Sequence, residues 1–171
     1  MIGRAQLGQV EHDEEIQKQL HEQRQRDEPA IRLATDEIDN ACDAKDWEKC
    51  RSFFATEVEV DFTSLAGGEP GKITADDLIS GWQTNLFKEK KTYHQRGNHR
   101  IEIDGDSASV FSKAYAFNLL ESGEITGLWE VWGVYTHEFQ RIEGEWKCTA
   151  MKLEVVHQRG DERVRNFIPE N

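Results

Sequence analysis

Three cysteines and three prolines are spread over 171 residues, too few of either to dictate an architecture. Cys42, Cys50 and Cys148 form neither a CxxC pair nor an even framework, which excludes a disulfide scaffold and leaves the reduced thiols of a cytoplasmic protein as the expectation. No segment approaches the ~20 consecutive apolar residues of a bilayer span, and the first residues lack the uninterrupted apolar core of a signal peptide. Positive charge is also scarce. Lys and Arg total 21 against 33 Asp and Glu, a formal net charge of -12 that opposes phosphate backbones and anionic membranes. Neither nucleic acid nor membrane is therefore an expected partner. The one basic cluster, Lys88-Glu89-Lys90-Lys91, reads as a solvated loop.

Several chemical motifs are missing as well. Gly67-Gly68-Glu69-Pro70-Gly71-Lys72 lacks the spacing of a nucleotide loop and is followed by Ile73, where that motif needs Ser or Thr. His12, His21, His99, His137 and His157 show no ligand spacing with a neighbouring carboxylate or thiol, so no metal is expected. No serine elbow or glycine-rich dinucleotide fingerprint follows a strand, which disfavours hydrolase and redox chemistry and makes no cofactor the expectation.

What remains fits one domain, large enough to enclose a core and a small cavity. Residues 1–28 are polar, with only scattered apolar side chains such as Val10, Ile16 and Leu20, and read as a mobile extension or a loose, solvated helix. Pro29 suits a helix's first turn, and Ile31, Ala34, Ile38, Ala41 and Cys42 follow at helical spacing, predicting a first core helix to about Ala44. A short helix from Asp46 and a strand through Val58, Val60 and Phe62 come next. Residues 65–72 read as a loop, and Thr74-Ala75-Asp76-Asp77 as the cap of a third helix. Long strand runs separated by turn signals fill the rest: 98–103, 108–120, 128–141 and 146–156. Helices first and hairpins later predict an α+β domain over 29–157, with 158–171 as a tail or lid.

One pair of residues carries chemistry. Asp43 lies on or beside the apolar face of the first core helix, an unusual place for an unpartnered carboxylate. His94 lies fifty-one positions later. A carboxylate that fixes an imidazole's tautomer makes a general base near neutral pH, since free histidine titrates near ~6.5.

The order of these pieces, Asp43-Ala44-Lys45-Asp46-Trp47, Phe54-Ala55-Thr56-Glu57-Val58 into Asp61-Phe62, His94 ahead of Asn98-His99-Arg100-Ile101-Glu102, and Val134-Tyr135-Thr136-His137-Glu138-Phe139 with Gly144-Glu145-Trp146-Lys147, resembles the SnoaL-like group of the nuclear transport factor two superfamily, near the scytalone dehydratases and hexachlorocyclohexane dehydrochlorinases. The resemblance spans about residues 30–156. It implies a cone-shaped, curved antiparallel sheet, a half barrel, closed by about three N-terminal helices, with an apolar pocket at its open end. It also implies His94 as the base and Asp43 as its orienting partner. Where the dehydratases carry carbonyl-polarising tyrosines, this chain has Cys42 and Phe62, so another donor is needed.

The strand face Trp129, Val131, Gly133, Tyr135, His137 aligns inward. Tyr135 is accordingly the first expected donor, and Asn118, on a face of small residues (Ser112, Ala114, Ala116), the second. Phe62, Trp82, Tyr93, Trp129, Val131 and Met151 are the expected apolar walls. The functional expectation is a cofactor-independent lyase of dehydratase type, or an isomerase, acting on a small, largely apolar carbonyl compound; a non-catalytic small-molecule-binding or assembly module of the same fold is the rival. Trp132 and Val134 point away from Tyr135, and apolar groups of that size on an outer face predict a homo-oligomer, dimer or trimer.

Overall fold

The computed structural model describes residues 4–121 and 123–170; the first three residues of the polar extension lie outside it. The elements are α1 (Arg4–Ala44), α2 (Trp47–Ser52), β1 (Phe54–Asp61), α3 (Thr63–Ala66), β2 (Gly71–Thr74), α4 (Ala75–Asn85), β3 (Lys91–Asp104), β4 (Ser107–Leu120), β5 (Gly127–Ile142), β6 (Glu145–Gly160) and α5 (Glu162–Asn166). The class is α+β, as the sequence predicts. The sheet has six strands in the order β2-β1-β6-β5-β4-β3. Its consecutive long strands pair antiparallel, but β1 runs parallel to β6, because the chain enters the sheet at β1 and reaches its neighbour only after the whole meander. The segment read as a loop contains α3 and β2, the latter pairing with β1 as an edge strand.

Pro29 does not open the first core helix. α1 passes through it and continues for 41 residues in all. An interior proline loses a helical hydrogen bond and costs about 3 kcal/mol, so another contact must hold the helix there. Asp27, 4 % exposed, supplies it by accepting from Arg141 Nη2 at 2.7 Å and from the Trp146 indole at 3.1 Å. Downstream, Ile31, Ala34, Ile38, Ala41 and Cys42 form a continuous buried stripe.

α1 ends with Lys45 in the left-handed region, φ +59°, where the amides of Lys45 and Asp46 return to the carbonyls of Cys42 and Ala41, a Schellman-type stop. Asp46 then caps α2, and Thr74 Oγ1 accepts from the Asp77 amide at 3.1 Å to cap α4, as its sequence predicts.

One apolar core lies between α1, α2, α4 and the sheet, built on Ile31, Ile38, Phe54, Val58, Leu78, Val110 and Phe139. A second, smaller one joins Leu120, Trp129 and Val131 to Val164 of α5, with Leu65, Phe87 and Phe167 around them. The space between the two cores is not filled. No described helix is long and apolar enough to cross a membrane.

The Asp27 anchor makes a prediction. Burial opposes the Asp27 carboxylate, but hydrogen bonds from Arg141, Trp146 and Gln23 outweigh it and lower its pKa. Its contribution is therefore present above the unfolded-state pKa of ~3.9 and lost as pH falls through the lower folded value. Asp27→Ala, which strands the buried Trp146 indole N–H and leaves Arg141 with Asp106 alone, should cost about 1–3 kcal/mol in urea unfolding at pH 7. The deficit should shrink below pH 4.

Candidate active site

Asp43 sits on the last turn of α1 and His94 near the start of β3. The His94 ring Nδ1 lies 2.7 Å from Asp43 Oδ1, and the His94 amide donates to Asp43 Oδ2 at 2.7 Å. One carboxylate thus grips both the ring and the main chain of the same residue. Since a carboxylate only accepts, Nδ1 carries a proton, and in the neutral ring Nε2 keeps its lone pair. That nitrogen has no hydrogen-bond partner among the described residues. The imidazole lines the unfilled space between the cores, a cavity of about 340 Å³. Burial works against the Asp43 charge, yet the bonds from His94 outweigh it and lower the carboxyl's pKa. Asp43 is held ionised behind the ring.

The same two elements bring together residues that the sequence reading passed over. Asp39, one turn before Asp43, accepts from Arg96 Nε at 2.5 Å and Nη2 at 2.8 Å. One step further, His99 Nε2 lies 2.9 Å from Asp36 Oδ1. Asp36, Asp39 and Asp43 share one helical face, and a bulge between Gly97 and Arg100 lets His99 continue the face of His94 and Arg96. The signal was available as helical and strand periodicity around the dyad. Arg96 is buried, and burial opposes its charge, but Asp39 more than offsets this and raises its pKa. Its third nitrogen, Nη1, is buried with no partner among the described residues, and the guanidinium lines the cavity 3.9 Å from the Tyr135 ring centroid.

Tyr135, Asn118, Phe62, Trp82, Trp129, Val131 and Met151 all line this cavity. Desolvation pushes the Tyr135 phenol up to about 12, against the pull of Arg96, so it stays a donor. Beneath it, His137 stacks at 5.3 Å with neither ring nitrogen bonded. Burial and the Arg96 charge push His137 well below the ordinary histidine value, leaving a neutral ring that supports Tyr135 outside the cavity lining.

Tyr93 is a correction. It is 45 % exposed on the opposite sheet face and stacks on Phe117, because strand residues alternate and its neighbour His94 points inward.

The C-terminal segment covers the cavity. Arg165 and Asn166 of α5 line it, and Arg165 Nη1 donates to the Leu65 carbonyl at 2.9 Å. The basic cluster expected to be solvated supplies the main tie. Lys90 is fully buried, its ammonium donating to the carbonyls of Arg165 at 3.1 Å and Phe167 at 2.9 Å. The Asn85 amide also donates to the Arg165 carbonyl. Burial, reinforced by Lys45, pushes Lys90 down to about 8.

With this geometry, the chain can be placed among known proteins. The SnoaL-like domain family matches residues 23–152, and the chain belongs to that family. Among solved structures it is similar to Kfla4162 of Kribbella flavida (21% identity, TM-score 0.77, covering 84% of this chain and 99% of that one). It is also similar to the hexachlorocyclohexane dehydrochlorinase LinA-type3 of Novosphingobium barchaimii LL02 (18%, 0.65, 86% and 97%). A provisionally assigned scytalone dehydratase of Novosphingobium aromaticivorans DSM 12444 shares the fold too (18%, 0.63, 78% and 86%). At such identities these likenesses establish the fold alone. No protein of curated function shows significant similarity to the sequence.

Lys90→Met tests the tie. Amide exchange across 162–168 should accelerate by at least tenfold in the variant. Between pH 8 and ~10.4 the unfolded chain binds more protons at Lys90 than the folded one, so wild-type stability gains there relative to the variant, which lacks this increment.

Proposed function

We propose that the chain is a cofactor-independent lyase of dehydratase type, or an isomerase, in which His94 removes a proton next to the carbonyl of a small, largely apolar guest. The observation that carries this reading is the imidazole held through Nδ1 by Asp43 at 2.7 Å while lining a hollow large enough for a guest. Nε2 takes the proton, and the C–H electron pair becomes the double bond of an enolate. Asp43 stabilises the imidazolium. Tyr135 and Asn118 donate to the enolate oxygen as charge gathers there. For dehydration, the adjacent C–O bond then breaks and hydroxide leaves as water with the proton returned by His94; for isomerisation, that proton is delivered to another carbon. The solved relatives named as a dehydrochlorinase and, provisionally, a dehydratase support elimination. A hollow interior favours this over the assembly module, which would plug it.

Because proton removal is the common step, hydrogen–deuterium exchange tests it without the natural substrate. With 2-acetonaphthone in D₂O, loss of the methyl proton signal should be catalysed by the wild type and slowed about 10²-fold or more by His94→Gln. Asp43→Asn should slow it too. No catalysis by the wild type, or full rates in both variants, would overturn the base assignment.

The partner expected from the sequence is a second copy. Tyr93, Phe117, Tyr115, Trp132 and His157 form one run of ring contacts across the outer face of β3 to β6, and Val156 beside it is 73 % exposed. Trp132→Arg should lower the mass measured by light scattering to that of a single chain. An unchanged mass would remove this face from the assembly.

A further inference from the structure

The charges around the cavity do not cancel. Asp39 is the one acid among its lining residues, and its two oxygens are taken by the Arg96 fork. Asp43 lies behind the ring of His94. Arg96 therefore brings an unpartnered N–H to the floor, but no net charge. Arg165, on the lid, is different. Its hydrogen bonds go to the Leu65 carbonyl and the Asn166 side-chain oxygen, both neutral, and its guanidinium lies 5.5 Å over the Trp129 ring. Among the described residues no carboxylate pairs with it within 4.0 Å, although most of the other arginines are so paired. Lys90, which holds the Arg165 carbonyl, also bonds only to neutral oxygens.

A chain with 33 acidic residues has no shortage of partners for two cations, yet among the described residues neither Arg165 nor Lys90 pairs with one. Arg165 thus brings a guanidinium without a carboxylate partner to a cavity that Trp129, Leu65 and Leu86 also line. We infer that the guest is an apolar molecule ending in a carboxylate, which Arg165 holds at the lid while the carbonyl-bearing end meets His94. This rests on reading the hollow as the substrate site and adds the chemical class of its occupant. The planar fork of a guanidinium matches a carboxylate, and a charge-assisted bond in a half-buried place is stronger than a neutral one. The net charge of the chain repels anions at long range, so any preference for an acid over its neutral analogue has to come from such a local cation.

The two compounds 6-acetyl-2-naphthoate and 2-acetonaphthone share a ring system and a methyl ketone and differ by the carboxylate. By calorimetry at 0.15 M salt, the acid should bind the full-length wild type at least tenfold more tightly than the ketone. Arg165→Gln should bring that ratio to about one, and Arg165→Lys should retain most of it. A ratio near one in the wild type, or one that survives Arg165→Gln, overturns the inference while leaving the His94 base untouched, because His94→Gln is read by exchange and not by this ratio. Failure of both compounds to bind would overturn the substrate-site reading and this inference together.

Discussion

The site depends on how α1 lies against β3. Four residues of helix rise ~6 Å and two residues of strand advance ~6.6 Å, so acids one turn apart can meet bases one strand repeat apart. Asp43 meets His94 at 2.7 Å and Asp39 meets Arg96 through both oxygens. The helix and strand run in opposite senses, and the Gly97–Arg100 bulge extends the match to Asp36 and His99. Asp39–Arg96 is the buried pair, and breaking it strands a charge rather than merely losing a contact, so the helix cannot slide along the strand without that cost and the loss of the flanking contacts. The dyad is therefore positioned by the same contacts that position the fold.

The hollow follows from residue size. Small side chains at Ala114, Ala116 and Gly133 face the interior where β3, β4 and β5 curl past the end of the main core. Gly133 has to stay without a side chain, since a Cβ there would come within 2.7 Å of Leu153 and 2.8 Å of the Glu154 carbonyl. Larger side chains, Phe62, Trp82, Trp129 and Tyr135 among them, complete the lining. The C-terminal turn then closes over the cavity, tied by the buried Lys90 ammonium to main-chain carbonyls rather than by apolar packing alone.

Much of this was legible in the chain. The α+β order, the Thr74 cap and the apolar stripe of α1 all have local signatures, whereas the Asp43–His94 pair and the inward face of β5 were legible through the resemblance in motif order. The failures have local causes. Tyr93 was assigned to the cavity beside His94, although adjacent strand residues face opposite sides. Pro29 was taken as a helix start because its cost is local, while the compensation from Arg141 and Trp146 comes from more than a hundred residues away. Lys90 looks solvated because the other three residues of its cluster are all charged; its partners, the carbonyls of residues 165 and 167, carry no sequence signal at all.

Periodicity by itself determined which residues face together along one helix or one strand, and the order of motifs, through the resemblance it carries, joined Asp43 to His94. Only the tertiary structure decided that this pair borders an open cavity, that Arg96 stands beside it, and that Arg165 and Lys90 lack a carboxylate partner among the described residues. The reason is physical: facing within an element follows from backbone geometry a few residues long, whereas empty space and charge balance are sums over side chains brought together from the whole chain.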